Sequence, residues 1–133
     1  EHEGRYMEMI ACYAYDRKKF IERRVNEGEG ILGQCMLEKD FVFITDVPSS
    51  YVKITSGLGE ATPRNIVVAP LIFNEQFYGA IELALFEVMK PHQVEFLKRV
   101  VENIASEMAS MKGYQRTQSL LNESKSLTAE LQT

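Results

Sequence analysis

Few residues in this chain have the capacity for chemistry: two cysteines, two histidines, a glycine-rich turn and isolated charges on apolar segments. Cys12 and Cys35 stand 23 residues apart, with no CxxC pair and no Cys/His cluster. Redox work needs a thiolate of low pKa with a resolving thiol in reach. Cys35 follows Gly33-Gln34 near an expected helix start, a setting that can lower a thiol's pKa, and Cys12 is the one available partner. The commoner state, two reduced and semi-buried thiols in a cytoplasmic protein, is the reading the spacing favours. A zinc site takes four ligands, whereas His2 and His92 sit near opposite extremes of the domain, so no metal is expected. Residues 26 to 34, NEGEGILGQ, lack the Lys and Ser/Thr of a phosphate-cradling loop and the glycine spacing of a dinucleotide fingerprint. They predict tight turns and a short helix through Met36 and Leu37. Glu82 shares a strand face with Ala80 and Ala84, where an exposed or backbone-paired carboxylate is expected rather than a buried site. No Ser/His/Asp constellation is present, and the chain is expected not to be an enzyme.

The elements that position these residues belong to an ordinary soluble composition, 45% hydrophobic and 26% charged over 133 residues. A net charge of -4, mixed along the chain, argues against wrapping nucleic acid. There is no apolar run long enough for a membrane span and no signal peptide at EHEGRY, so the expected location is cytoplasmic, without membrane contact. Residues 5 to 15 alternate as a strand with two apolar faces, and residues 19 to 25 as a peripheral strand with charges on both. Residues 41 to 47, FVFITDV, predict a further strand. Pro48 and two serines then open a helical turn carrying Tyr51, Val52 and Ile54, and residues 55 to 65 form a loop. Residues 66 to 73 read as a strand buried on both faces, with a bulge expected at Pro70. Asn74-Glu75-Gln76 turns the chain, and residues 77 to 86 return antiparallel, with Ala80 and Ala84 leaving one face shallow enough for a helix to approach.

Residues 90 to 133 form one helical pattern. Pro91 suits a first turn. Leu97, Val101, Ile104, Met108 and Met111 recur at steps of four and three, and Leu120, Leu127 and Leu131 resume the stripe beyond Gly113. Nine residues instead of seven separate Met111 from Leu120, so the stripe changes phase near Gly113. At 1.5 Å per residue the rod would be roughly 65 Å long, against some 30 Å for the domain. Half of it needs another partner, and a homodimer through this helix, joined beyond Gly113 as a short parallel coiled coil, is the natural one.

GEGILGQ, FVFITDVP, SGLG, PRNIVVAPLIF and GAIELALF, followed by a long amphipathic helix, together resemble a GAF domain. This is the small sensor module of bacterial sensor kinases, phosphodiesterases and phytochromes. The resemblance covers roughly residues 6 to 112, and LLNESKSLTAELQT looks like the linker that follows such domains in sensor histidine kinases and related multidomain signalling proteins. The implied division is a GAF-like domain over residues 1 to 112 and a signalling-helix or coiled-coil linker over 113 to 133. The implied fold is α/β in the α+β sense: an antiparallel sheet of about six strands, flanking helices on one face, a ligand pocket on the other, and the long C-terminal helix. The family's opening helix and first strand are expected to lie upstream of Glu1 or to have been lost. The pocket is typically roofed by the segment corresponding to residues 48 to 64, which nominates Tyr51, Ile54, Thr55, Ser56, Leu58 and Arg64 as ligand-binding positions. Arg64 can pair with an anion or be a surface charge. The residues by which relatives hold cyclic nucleotides, bilins or haem are missing, and no cofactor is implied.

Three functions fit. One is a regulatory sensor domain of a multidomain signal-transduction protein, of the two-component, histidine-kinase kind, that couples pocket or dimer state to an output through the helix. A second is a ligand-free structural dimerisation module. The third is an enzyme similar to the GAF proteins that reduce free methionine sulfoxide, with Cys35 as nucleophile.

Overall fold

A computed structural model of the chain describes residues 4–13, 24–48, 54–56 and 59–131. The centre is a hairpin of two long strands, β6 (Asn65–Phe73) and β7 (Gln76–Leu85). They are joined by Asn74 and Glu75, both in the left-handed region at φ 48° and 64°. Two consecutive positive φ values make the tight turn whose twist matches that of the strands it connects. Gln76, predicted in the turn, is already paired with Phe73. The irregularity expected at Pro70 falls one step later, as a register shift between Leu71 and Ile72, while Pro70 itself stands opposite Ala80.

A short strand, β3 (Val42–Ile44), pairs antiparallel with β6 and completes a three-stranded sheet in the order β3-β6-β7. Four further short strands make two separate pairs. β1 (Tyr6–Glu8) pairs with β2 (Arg24–Asn26), and β4 (Ile54–Ser56) pairs with β5 (Gly59–Ala61). The single sheet of about six strands implied by the resemblance is thus replaced, among the described residues, by three smaller antiparallel sheets. The strand expected over residues 5 to 15 stops at Glu8, and its continuation exposes Ile10 and Tyr13 almost fully. A strand persists only where another backbone answers its N–H and C=O groups, and among the described residues none faces 9 to 13. Ile54, predicted in a helical turn, lies on a strand, and the loop predicted over 55 to 65 contains the rest of β4 and all of β5. Residues 49 to 53 of that turn lie outside the described residues.

Helix α1 (Gly30–Glu38) covers one face of the central sheet and helix α2 (Pro91–Leu131) the other. Alternation along β6 divides the core between them. Ile66 and Val68 pack with Cys35, against which Ile31 and Leu32 of α1 also lie. Val67, Ala69 and Leu71 pack with Leu97, Val101 and Ala105 of α2. Helices therefore lie on both faces of this sheet, where the resemblance implied one helical face and an open pocket on the other. The approach predicted at Ala80 is made by α1, whose cluster includes that alanine.

The glycine-rich segment serves this packing. Gly28 and Gly30 take φ 82° and 63°, and a Cβ on Gly33 would collide with the backbone of Asn26 and Gly28. Only glycine lets the first turn of α1 sit so close to the chain that precedes it. The start of α2 is held reciprocally. The Lys90 backbone N–H donates to Gln93 Oε1 at 2.9 Å, and the Gln93 N–H donates to the Lys90 carbonyl at 2.9 Å. The Gln93 side chain supplies the third-residue half of a capping box, with Pro91 at the first helical position, where a missing N–H costs nothing. From there α2 runs unbroken across Gly113.

Candidate functional site

The two reactive-residue candidates are held very differently. Cys35 projects from α1 into the apolar cluster of Ile66 and Val68 and is 0% exposed. Burial, with lesser contributions from the charges of Asp40 and Glu38, pushes its thiol up from 9.0 to about 11. A thiol in that state is neutral at physiological pH and is no nucleophile. Any lowering by the nearby helix start is outweighed by desolvation, because the side chain points into the core. Cys12 is exposed. Among the described residues no group of three or more His, Cys, Asp or Glu could hold a metal ion. Glu82 is half-buried and engaged by a partner.

The nominated pocket residues are only partly gathered. Ile54, Thr55 and Ser56 share β4, where they face Ala61, Glu60 and Gly59 of β5. Ile54 is half-buried. Arg64 follows three residues after Ala61 and is exposed, its backbone N–H donating to the Leu85 carbonyl at 2.9 Å. That bond ties the hairpin's exit to the central sheet, so the β4–β5 arm hangs from the same end at which β7 hands over to α2. Tyr51 and Leu58 lie outside the described residues.

Helix α2 divides the nominated dimerisation residues into two classes. Leu97 and Val101 are buried in the chain's own core, and Met108 is partly buried against it. Grouping Leu97 and Val101 with a subunit interface is therefore corrected: the sheet face formed by Val67, Ala69 and Leu71 covers them within one chain. Ile104 and Met111 keep 36% and 60% of their surface, and Leu120, Leu127 and Leu131 keep 55% or more. The helix leaves its own domain near Lys112, whose ammonium lies 5.1 Å from the ring centre of Tyr78 at the start of β7. Phe96, Tyr114 and Leu121 are also exposed, at 69%, 71% and 47%, and were not singled out by a stripe drawn through the most regular leucine and methionine steps. Projecting every apolar residue of the segment onto one helix would have found them.

One buried polar residue escaped the sequence as well. Asn65 opens β6, is 4% exposed, and finds no hydrogen-bond partner for Oδ1 or Nδ2 among the described residues. Its place in PRNIVVAPL reads as an ordinary strand edge, and only the tertiary packing around the start of β6, where Leu85 of β7 stands opposite, encloses it.

No helix among the described residues is long and apolar enough to cross a membrane. No curated protein matches the chain. A family model described as GAF domain matches residues 1–109, which runs from the first residues through the half of α2 that packs on the sheet and stops before its overhang. The match agrees with the ordered motifs, the antiparallel hairpin core and the closing helix, and the chain belongs to the GAF domain family.

Proposed function

We propose that this chain is the regulatory sensor domain of a multidomain signalling protein of the sensor histidine kinase type. It acts in the bacterial cytoplasm, as a homodimer joined through α2. The observation that carries this reading is the length of α2: 41 residues in one helix, of which those beyond Met108 add nothing to the chain's own core. At 1.5 Å per residue the helix spans about 60 Å, twice a domain of this size. A rod that projects so far past its globule carries displacement from that globule to whatever follows it. The signal enters at the β4–β5 arm, with a small molecule or anion bound near Ile54, Thr55, Ser56 and Arg64. It leaves along α2 as a change in the geometry of two paired helices. No cofactor is assigned.

Native mass spectrometry combined with a thermal-shift ligand screen tests the reading. A dimer whose melting temperature rises with an apolar small molecule or an anion supports it. A dimer that responds to no compound favours the second reading, a ligand-free dimerisation module, for which the same overhanging helix speaks. Strict monomers at high protein concentration refute both. The third reading, reduction of methionine sulfoxide through Cys35, has the buried, high-pKa thiol against it.

A further inference from the structure

The exposed apolar residues of α2 form two stripes. At about 100° per residue, Phe96, Ile104, Met111, Tyr114 and Leu121, with the half-buried Val100 between them, fall along one side of the helix, next to the face that Leu97, Val101 and Ala105 bury on the sheet. Leu120, Leu127 and Leu131 form the other stripe. Nine residues from Met111 to Leu120 amount to about two and a half turns, so the second stripe lies on the opposite side from the first. The helix is unbroken across Gly113, where an added Cβ would meet nothing, so its residue period carries through that position.

We propose that the first stripe, Phe96 through Leu121, is the face on which a second copy of this chain docks, parallel and helix to helix. This pairing turns Leu120, Leu127 and Leu131 away from the partner. The inference rests on the dimeric-rod reading above and specifies which side of the rod is used. A second copy is the fitting occupant because the stripe is continuous from the globule into the overhang. A two-fold pair, moreover, presents the same surface from both sides, which requires a self-complementary face. This one meets that condition: Lys98, Glu102 and Arg116 project to the far side of the helix, and Asn103, Ser110 and Gln118, interspersed along the stripe or at its edge, are uncharged. Glu107 is the one carboxylate on the stripe, and a symmetric parallel pair sets it against its own copy. Two straight helices cannot bury both stripes together, so pairing through the leucines beyond Gly113 is a second, mutually exclusive arrangement.

The test is single-cysteine cross-linking in a Cys12→Ser chain, with the buried Cys35 left in place. Met111→Cys and Tyr114→Cys should oxidise to covalent dimers at least tenfold faster than Leu127→Cys. Rapid cross-linking at Leu127→Cys with none at Met111→Cys would overturn the inference while leaving the dimeric reading intact. Equal rates at both would overturn the mutual exclusion. Sedimentation showing only monomers would remove the dimeric reading itself. Independently, Glu107→Leu should tighten the dimer about tenfold, and an unchanged dissociation constant counts against the face named here.

Discussion

Leu97→Ala and Leu127→Ala remove the same atoms from the same helix and should have opposite consequences. Leu97 is 9% exposed and packs with Val67, Ala69 and Leu71 of β6, whereas Leu127 is 55% exposed and touches no core cluster of its own chain. Truncating a buried leucine removes its transfer free energy and leaves a cavity, for a cost of about 2–5 kcal/mol, while an exposed substitution away from special features changes stability by less than roughly 0.5 kcal/mol. For a domain of this size, about 3 kcal/mol corresponds to a fall in Tm on the order of 10 °C. Leu97→Ala should therefore lower the urea midpoint by the same amount at every protein concentration. Leu127→Ala should leave the monomer's unfolding free energy unchanged and act, if at all, only on the concentration-dependent part of the transition. Circular dichroism melts at two concentrations a hundredfold apart separate the cases. A loss of 2 kcal/mol or more, independent of concentration, in Leu127→Ala would mean that the distal half of α2 packs on its own domain. The length argument for a signalling rod would then be wrong.

Four other outcomes follow from the packing. Cys35 should resist alkylation at pH 8 under conditions that modify Cys12 fully, and reaction of both thiols at similar rates would contradict its burial. Because the Cys35 thiol is held at about 11 when folded against 9.0 when unfolded, the unfolded chain loses its proton first. Stability should therefore decline as pH rises from about 9 toward 11, and Cys35→Val should flatten that decline. Gly33→Ala should destabilise by at least about 1–3 kcal/mol, because the added methyl meets backbone at Asn26 and Gly28 rather than a side chain that can move; a wild-type urea midpoint would exclude that close approach. Asn65→Val should raise stability by about 1–3 kcal/mol in the same denaturation assay, since it replaces a buried amide with no hydrogen-bond partner among the described residues by an apolar group suited to a strand. A destabilised variant would show instead that the amide is hydrogen-bonded.

Local pattern carried much of the architecture. The near-continuous apolar run of β6, its return as β7, the helix after the glycine-rich turn and the long helix from Pro91 were all legible, because each depends on periodicity and on residues with special backbone preferences. The ordered motifs around them sufficed to bring the family into view. Strand length at β1 and the hairpin at β4–β5 were not legible, since a strand's extent is set by the backbone that answers it rather than by its own alternation. Cys35 is a similar case: GILGQC favours a core thiol yet leaves room for a reactive one at a helix start, and the orientation of α1 against Ile66 and Val68 decides for the core.

By itself, the amino-acid order determined that this chain builds an antiparallel core closed by a helix too long for it, because composition, turn residues and hydrophobic period are properties of short stretches. Only the tertiary structure decided which residues of that helix are already covered. Leu97 and Met111 look alike in sequence, each one step on the same stripe. The helix turns Leu97 onto the sheet face of Val67, Ala69 and Leu71 and turns Met111 to the neighbouring side, so one is core and the other stays 60% exposed.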